Sequence, residues 1–375
     1  MKKRRNLPSR LCALLLAAVL LCSLGVPQAA AADPAVTWSQ VDGSAVTAQL
    51  PLQKAEEEAA PAYRDTETVR VSIFLEDAPT ISKFDVQNIA ENQAALAYRS
   101  GLETRQETLA QAISTQALGG KQLDVVWNLT LAANIISANV EYGKIAAIEQ
   151  VPGVQQVLLE TQYAPAVVDT DLPNDPNMST SSAMIGSSAA WAAGYTGAGS
   201  RIAVIDTGTD TDHQSFSAAG FDYSLAKQAE QAGKAVADYN LLDVEEITGV
   251  LDQLHVGNGV TALQLYRNTK LPFGYNYIDK DLDITHDQDR QGEHGSHVAG
   301  IATANAYIPN ADGTFAGALD AVKVQGVAPD AQLITMKVFG KAGGAYDSDY
   351  LAAIEDAIVL KCDVVNLSLG SSNPG

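Results

Sequence analysis

Arg201-Ile-Ala-Val-Ile-Asp206-Thr-Gly208-Thr-Asp210 decides how the rest of the chain is read. An apolar run meets a carboxylate and then a glycine, the pattern of a buried strand that ends on Asp206 and turns at Gly208. Further on stands Gly292-Glu-His294-Gly-Ser-His297-Val-Ala-Gly300, a histidine opening a helix bounded by glycine and serine. An aspartate at a strand end and a histidine at a helix start are two of the three parts of a charge relay.

Downstream, Gln332 to Phe339 reads as a second buried strand, carrying Leu333, Ile334, Met336 and Val338. Gly340 to Ala345 is a glycine loop. Asp347 or Ser348 is placed to cap a helix carrying Leu351, Ile354, Ile358 and Leu360. Asp363-Val-Val-Asn-Leu-Ser-Leu-Gly370 is a third strand. Apolar strands alternating with helices predict an α/β fold built on a parallel sheet, with functional groups at the carboxyl ends of its strands. Between the first two blocks lies an insertion, 217–290, with acidic and Gln-rich helical stretches. Its end, Gly274 to Asp283, reads as a turn-rich acidic loop.

Upstream, 164–184 is rich in Pro, Asp and Ser and reads as a linker; Ser187 to Ala193 suits a short helix containing Trp191. Residues 69–163 hold a separate pattern. Val69, Val71, Ile73 and Leu75 alternate with Arg70, Ser72 and Phe74 as a strand with one more apolar face. A helix follows over Ala94 to Ser114, stopped by Gly119-Gly120. Asp124 to Val140 is a strand, Tyr142 to Val151 a short helix and Val154 to Glu160 a closing strand. The expectation is a small α+β domain of the ferredoxin-like kind.

Residues 33–68 form an Ala-, Glu-, Pro- and Gln-rich linker. Before it, Lys2, Lys3, Arg4, Arg5 and Arg10 precede the apolar run Leu11 to Val26 and the small residues Ala29 to Ala32. That is an export signal over 1–32, and it predicts a secreted or cell-envelope protein. Cys12 and Cys22 fall inside it. Cys362 is then the one cysteine left, unable to form an internal disulfide and read as a buried structural thiol.

The chain is 46% hydrophobic and 18% charged, as a globular protein is, and its formal charge is −20. So acidic a chain is a poor partner for nucleic acid or an anionic membrane surface. Taken singly, the two relay blocks have plainer meanings. Asp-Thr-Gly also serves aspartic proteases, and His-Gly-Ser-His beside Glu293 could be half a metal site. No third ligand cluster with good spacing follows, and no Cys/His spacing suits zinc.

Ile205-Asp206-Thr-Gly208, His294-Gly-Ser-His297-Val-Ala-Gly300 and Asn366-Leu-Ser-Leu-Gly370, in that order, resemble three signature blocks of the subtilisin-like serine proteases. The resemblance covers 185–375, and Gly274-Tyr-Asn-Tyr with the insertion before it looks like the family's cell-envelope proteinases. Residues 69–163 are similar to the family's inhibitory propeptide. The resemblance implies a serine endopeptidase made as a zymogen, with polypeptide substrates and its own propeptide as intramolecular inhibitor. Asp206 and His294 would be the catalytic pair. Gly343 and Gly344 on one side, and Ser368, Leu369 and Gly370 on the other, would grip an extended peptide. By the same resemblance, Gly295 and Ser296 keep the helix start open around the histidine, and His297 is a packing residue. The chemistry needs no cofactor. Ser215 stands where many members have a calcium-ligating aspartate, and 305–325 lengthens the loop supplying other ligands. Calcium is therefore expected, if at all, at acidic loops such as 279–289.

The family's oxyanion asparagine and Gly-Thr-Ser-Met nucleophile are not found in the sequence; Ser179-Thr-Ser-Ser-Ala-Met184 precedes Asp206 and lies in a linker. The expectation is an N-terminal part of such a protease, inactive as written. The alternative is a non-catalytic, truncated protein that keeps the propeptide or the groove for peptide binding or inhibition.

Overall fold

The structure is a computed structural model that describes residues 63–165 and 178–370. The export signal, most of the 33–68 linker and the middle of the 164–184 linker lie outside the described residues.

The parallel sheet has the order β11-β6-β10-β7, from β6 (Arg201–Asp206), β7 (Phe273–Asn276), β10 (Gln332–Lys337) and β11 (Val364–Leu367). Register pairs Asp206 with Lys337 and Leu367 with Ile205. Strand side chains alternate between faces, and here each face has its own core. Val204 and Leu333 pack with Phe216, Leu271, Ile284 and Ala299 on one side. Ala203, Ile205, Ile334 and Met336 pack with Ala353, Ala357 and Tyr275 on the other. Each fully buried Val, Leu, Ile, Phe or Met side chain among them contributes roughly 1.5–3 kcal/mol. Burial on both faces explains the near-continuous apolar character of β6 and β10.

One sequence expectation fails in this sheet. Gly274 to Asn276 belongs to β7 rather than to a loop, with Gly274 beside Thr335 in register. Gly274 and Asn276 hid the strand, although Gly274 is needed: a Cβ there would collide with the Ile284 side chain. β11 is apolar but lies at the edge of the sheet among the described residues, with Val364, Val365 and Leu367 exposed.

Two helices flank the sheet. α8 (His294–Thr303) buries Gly295, Ala299 and Thr303, one position per turn. α10 (Asp347–Val359) is capped by a bond from Tyr346 N to Asp349 Oδ2 (3.0 Å), not by Asp347 or Ser348 themselves. The interior positions of α10 are Ala352, Ala353, Glu355, Asp356, Ala357 and Val359; Leu351, Ile354 and Ile358 are half-buried at their margins.

Residues 63–160 form an antiparallel sheet of order β2-β3-β1-β4. Its strands are β1 (Thr68–Leu75), β2 (Asp124–Leu129), β3 (Ile135–Glu141) and β4 (Val154–Leu159), joined by α1 (Gln93–Gln116) and α2 (Ile145–Glu149). The stretch 124–140 is thus two strands and a turn, not one strand. β1 presents Val71 and Ile73 to Leu109 and Ile113 of α1. Its opposite face, with Arg70 half-buried and Ser72 buried, is largely covered. It lies on α10: Arg70 is 3.7 Å from Asp349, and Ser72 joins Ser348 through Glu160.

After β4 comes the short β5 (Ala164–Pro165), paired with β12 (Leu369–Gly370). Met178–Ile185 is helical (α3) where a linker was expected, and α4 (Ser187–Ala192) follows with Trp191. The insertion supplies α5 (Ala218–Ala232), α6 (Val244–Val250) and α7 (Ala262–Leu265). A hairpin of β8 (Tyr307–Pro309) and β9 (Phe315–Gly317) and the short α9 (Ala318–Ala321) lie between α8 and β10. Cys362 is free and only partly buried, and desolvation pushes its thiol up to about 12. None of the described helices is long and apolar enough to cross a membrane.

Candidate active site

Alternation along β6 sends Ile202, Val204 and Asp206 towards the face that α8 covers. Asp206 is 1% exposed, and its Oδ1 and Oδ2 lie 2.8 and 3.0 Å from Nδ1 of His294. Thr207 N donates to Asp206 Oδ1 at 2.7 Å, so the carboxylate is held from its own backbone as well. Engagement of Nδ1 leaves Nε2 as the ring nitrogen pointing away from the aspartate.

The helix carrying His294 is pressed onto the turn after Asp206. Gly295 N donates to Thr207 Oγ1 at 2.9 Å, and Asp210 N donates to Ser296 Oγ at 2.8 Å. A Cβ on Gly295 would collide with the carbonyl of Gly208 and sit 3.1 Å from the Asp206 Cβ. These two residues therefore close the helix start against the strand end; they do not hold it open. Gly208 has φ +106°, and its own Cβ would collide with the Ile284 carbonyl. His297 is exposed, so the packing role expected of it is corrected. It falls between Gly295 and Ala299, on the side of α8 opposite the buried positions.

Lys337, beside Asp206 in register and 1% exposed, donates to Thr207 O (2.5 Å) and to Asp289 Oδ2 (2.6 Å). It ties the segment before His294 to the turn after Asp206. Sequence reading passed over it as one more strand residue. Asp279, Asp283 and Asp289 in the acidic loop all accept hydrogen bonds from protein donors. Among the described residues no group of three or more His, Cys, Asp or Glu side chains could hold a metal ion. Ser215 is buried, with its amide donating to Nδ1 of His213.

The residues named for the peptide groove lie on two sides of one segment, and that segment is the chain's own. Tyr163 N donates to Ala345 O at 2.7 Å, and Gln162 bridges to Tyr346 in antiparallel fashion. On the other side Leu369 pairs with Pro165 and Gly370 with Ala164, again antiparallel. Gly344 touches Tyr163 so closely that a Cβ would collide with the Tyr163 carbonyl. Gly343 makes the turn before it at φ +112°. Ser368 makes no ladder pair; its Oγ bonds Asn366 Oδ1 at 2.9 Å. Asp347 receives the amide of Thr161 (2.6 Å) and the hydroxyls of Tyr163 (3.1 Å) and Tyr350 (2.6 Å).

Sequence reading also missed a charged cluster under the 63–160 module. Glu355, fully buried on α10, accepts from the amides of Leu131 (2.8 Å) and Ala132 (2.7 Å) in the β2–β3 turn. His255 Nε2 is 2.9 Å from it, and Arg99 of α1 is 3.9 Å away. Asp356 accepts from His255 N (2.9 Å) and Tyr277 OH (2.8 Å). The one available signal was Glu355-Asp356 inside an otherwise apolar helix.

Comparison with known proteins gives the same order of blocks a name. Residues 197–375 match the subtilase family. The PI-type proteinase of Lactococcus lactis subsp. cremoris is 32% identical over 287 residues, which cover 74% of this chain and 13% of that protein. The minor extracellular protease Vpr of Bacillus subtilis (strain 168) is 30% identical over 202 residues, 52% of this chain and 17% of the relative. The chain thus spans a small part of the relatives it matches. A solved structure, the epidermin leader peptide processing serine protease of Staphylococcus aureus, aligns over 81% of this chain and 50% of that one. Its identity is 15% and its TM-score 0.39, too low to carry weight. On the sequence match and the ordered blocks, residues 197–375 of this chain belong to the subtilase family.

Proposed function

We propose that this chain is the zymogen portion of an exported subtilisin-like serine endopeptidase acting on polypeptides. Residues 69–163 are its ferredoxin-like propeptide, and Asp206 and His294 are two members of its relay. His294 takes the proton of a serine hydroxyl through Nε2 and returns it to the leaving amine; Asp206 fixes the tautomer through Nδ1 and stabilises the imidazolium. No residue of the 375 is assigned the nucleophile's role.

The observation that carries the reading is the seat of residues 162–165. They run as an extended strand between Ala345–Tyr346 and Leu369–Gly370, held through main-chain bonds as a bound peptide is. A segment that continues directly from the 69–163 module and fills the groove is an inhibitor in the position of a substrate. Support for export comes from the signal-like residues 1–32 and from a relative named as extracellular. Side chains carry the proposed chemistry, with no cofactor in any step.

The test uses the full-length gene product. It should be labelled by a fluorophosphonate and hydrolyse casein, and His294→Ala should abolish both. Residues 33–375 alone should do neither. Labelling of 33–375 would sink the statement about the nucleophile, and an unlabelled, inactive full-length product would favour a non-catalytic peptide-binding protein.

A further inference from the structure

The groove edge that meets Tyr163 is built from a stretch with little stiffness of its own. Gly340-Lys-Ala-Gly343-Gly344 closes on itself through Gly340 N to Gly343 O (3.2 Å) and Gly343 N to Gly340 O (3.0 Å). Three glycines in five residues make such a turn costly to order, because each gives up a wide range of backbone conformations.

An external group holds it. Asp279, from the turn after β7, accepts from Ala342 N through Oδ1 (2.8 Å) and from Lys341 N through Oδ2 (3.0 Å). One carboxylate thus spans two successive amides of the loop. It is itself fixed: Asn276 Nδ2 donates to Asp279 Oδ2 (3.0 Å), and Asp279 N donates to Asn276 Oδ1 (3.1 Å). Asn276 is 1% exposed and ends β7, in register with Lys337 of β10. Gly340 completes the fit, since a Cβ there would collide with the Asp279 carboxylate. The chain of support therefore runs from the sheet through Asn276 and Asp279 to the loop, and from the loop to the backbone of Gly344 and Ala345.

We infer that Asp279 is a positioning residue for substrate: it holds 340–344 in the shape that offers Gly344 and Ala345 to an extended peptide. The inference rests on the groove reading proposed above. Asp279 makes no contact with Asp206 or His294 among its hydrogen bonds, so it acts on binding and not on proton transfer. Losing it weakens ground state and transition state alike, which raises KM and leaves kcat in place.

Two measurements test this. In the 375-residue chain, Asp279→Ala should speed hydrogen exchange at the Tyr163 amide about tenfold, through loss of its Ala345 partner. In the full-length protein, the same variant should raise KM for a long casein-derived peptide about tenfold, with kcat within about twofold. Asp279→Asn, which keeps one acceptor oxygen, should fall between. Asp283→Ala, which removes the 3.5 Å ion pair with Lys341 but leaves the two amides bonded, should match the parent on both readouts. Unchanged Tyr163 exchange in Asp279→Ala, or a kcat that falls as far as kcat/KM, would overturn the proposal. If the full-length protein hydrolyses no peptide at all, the peptidase reading fails by itself, and the exchange experiment still decides for or against Asp279.

Discussion

Among the described residues two histidine–carboxylate pairs are alike by distance alone. His294 lies 2.8 Å from Asp206 and His255 lies 2.9 Å from Glu355. The nitrogens differ. His294 uses Nδ1 and keeps Nε2 on the side away from its carboxylate. His255 spends Nε2 on Glu355 and its backbone amide on Asp356, and its ring stands nearly perpendicular to that of Trp127 at 5.9 Å between centroids. The surroundings differ as well: Asp206 accepts from the His294 ring and the adjacent Thr207 amide, whereas Glu355 collects amides from a turn more than two hundred residues away. A close His–carboxylate contact is therefore no mark of catalysis. What separates the proposed relay from the structural lock is which nitrogen is left over and what else the carboxylate holds.

Exchanging the pairs is the hardest blow to that distinction. In the full-length protein His294→Ala should cost on the order of a millionfold in kcat, the scale known for the equivalent loss in subtilisin. His255→Ala should leave the turnover of the matured enzyme within a few-fold. A comparable loss from both would erase the contrast.

The lock has its own large effect. Glu355→Ala strips the amides of Leu131 and Ala132 and the charges of Arg99 and His255 of their shared partner. Breaking a buried set of this kind costs about 3–5 kcal/mol. Urea denaturation should record the loss, and limited proteolysis should find the β2–β3 turn newly cut. A midpoint within error of the parent would mean that the carboxylate contributes little.

A smaller effect is expected at the relay's backing. Gly295→Ala forces a methyl against the Gly208 carbonyl, and overpacking of that order costs about 1–3 kcal/mol. Because α8 must shift, kcat in the full-length protein should fall together with the melting temperature. A fall in melting temperature alone would separate helix packing from His294 placement.

The smallest effect is that of pH on the lock. Burial opposes charge on His255, but the Glu355 bond and the Asp356 and Glu355 charges outweigh it and raise its titration above the ordinary value; Arg99 opposes this weakly. Burial pushes Asp356 up to about 6 against the pull of His255, Tyr277 and Arg99. A histidine raised in the folded state stabilises it at low pH and gives that up as pH climbs through the raised value. A carboxyl raised to about 6 does the same over its own range. Glu355 is raised by burial and lowered more by His255 and Arg99, so its contribution is complete above the ordinary carboxylate range and is lost as pH falls from there to its depressed value. As pH rises above about 6 and through the raised His255 titration the lock should therefore loosen, seen as a lower urea midpoint at the higher pH. His255→Gln should flatten the slope. An unaltered slope would assign it to other groups.

The contrast between the pairs also explains what the sequence could disclose. Asp206 and His294 sit in short local patterns, a strand end with a glycine turn and a helix start, each constrained by close backbone approach at Gly208 and Gly295. Such constraints leave letters behind. His255, Glu355 and Arg99 come from three distant segments, and nothing near any of them announces the others. The strand reading of 124–140 failed for a related reason. Thr130-Leu-Ala-Ala-Asn134 carries no glycine or proline, because its turn is held by Glu355 on another element and not by its own conformational bias. β7 was lost the opposite way, since Gly274 and Asn276 look like loop residues while serving tertiary contacts. His297 was misplaced by resemblance alone; counting round the helix from the sheet-facing Gly295 puts it outside.

One consequence of the strand at 162–165 concerns concentration. While the chain is continuous, that strand meets its groove as part of the same molecule, at an effective concentration on the order of millimolar. A free peptide of equal intrinsic affinity competes only when it is comparably concentrated. The few main-chain bonds at Tyr163, Ala164 and Pro165 therefore suffice to keep the groove filled. If the chain is cut just beyond Pro165, the strand stays tethered only through the docked 63–160 module, and the effective concentration lasts as long as the docking does. Full dissociation then makes occupancy fall with dilution, and the same bonds that served the tethered strand no longer hold it.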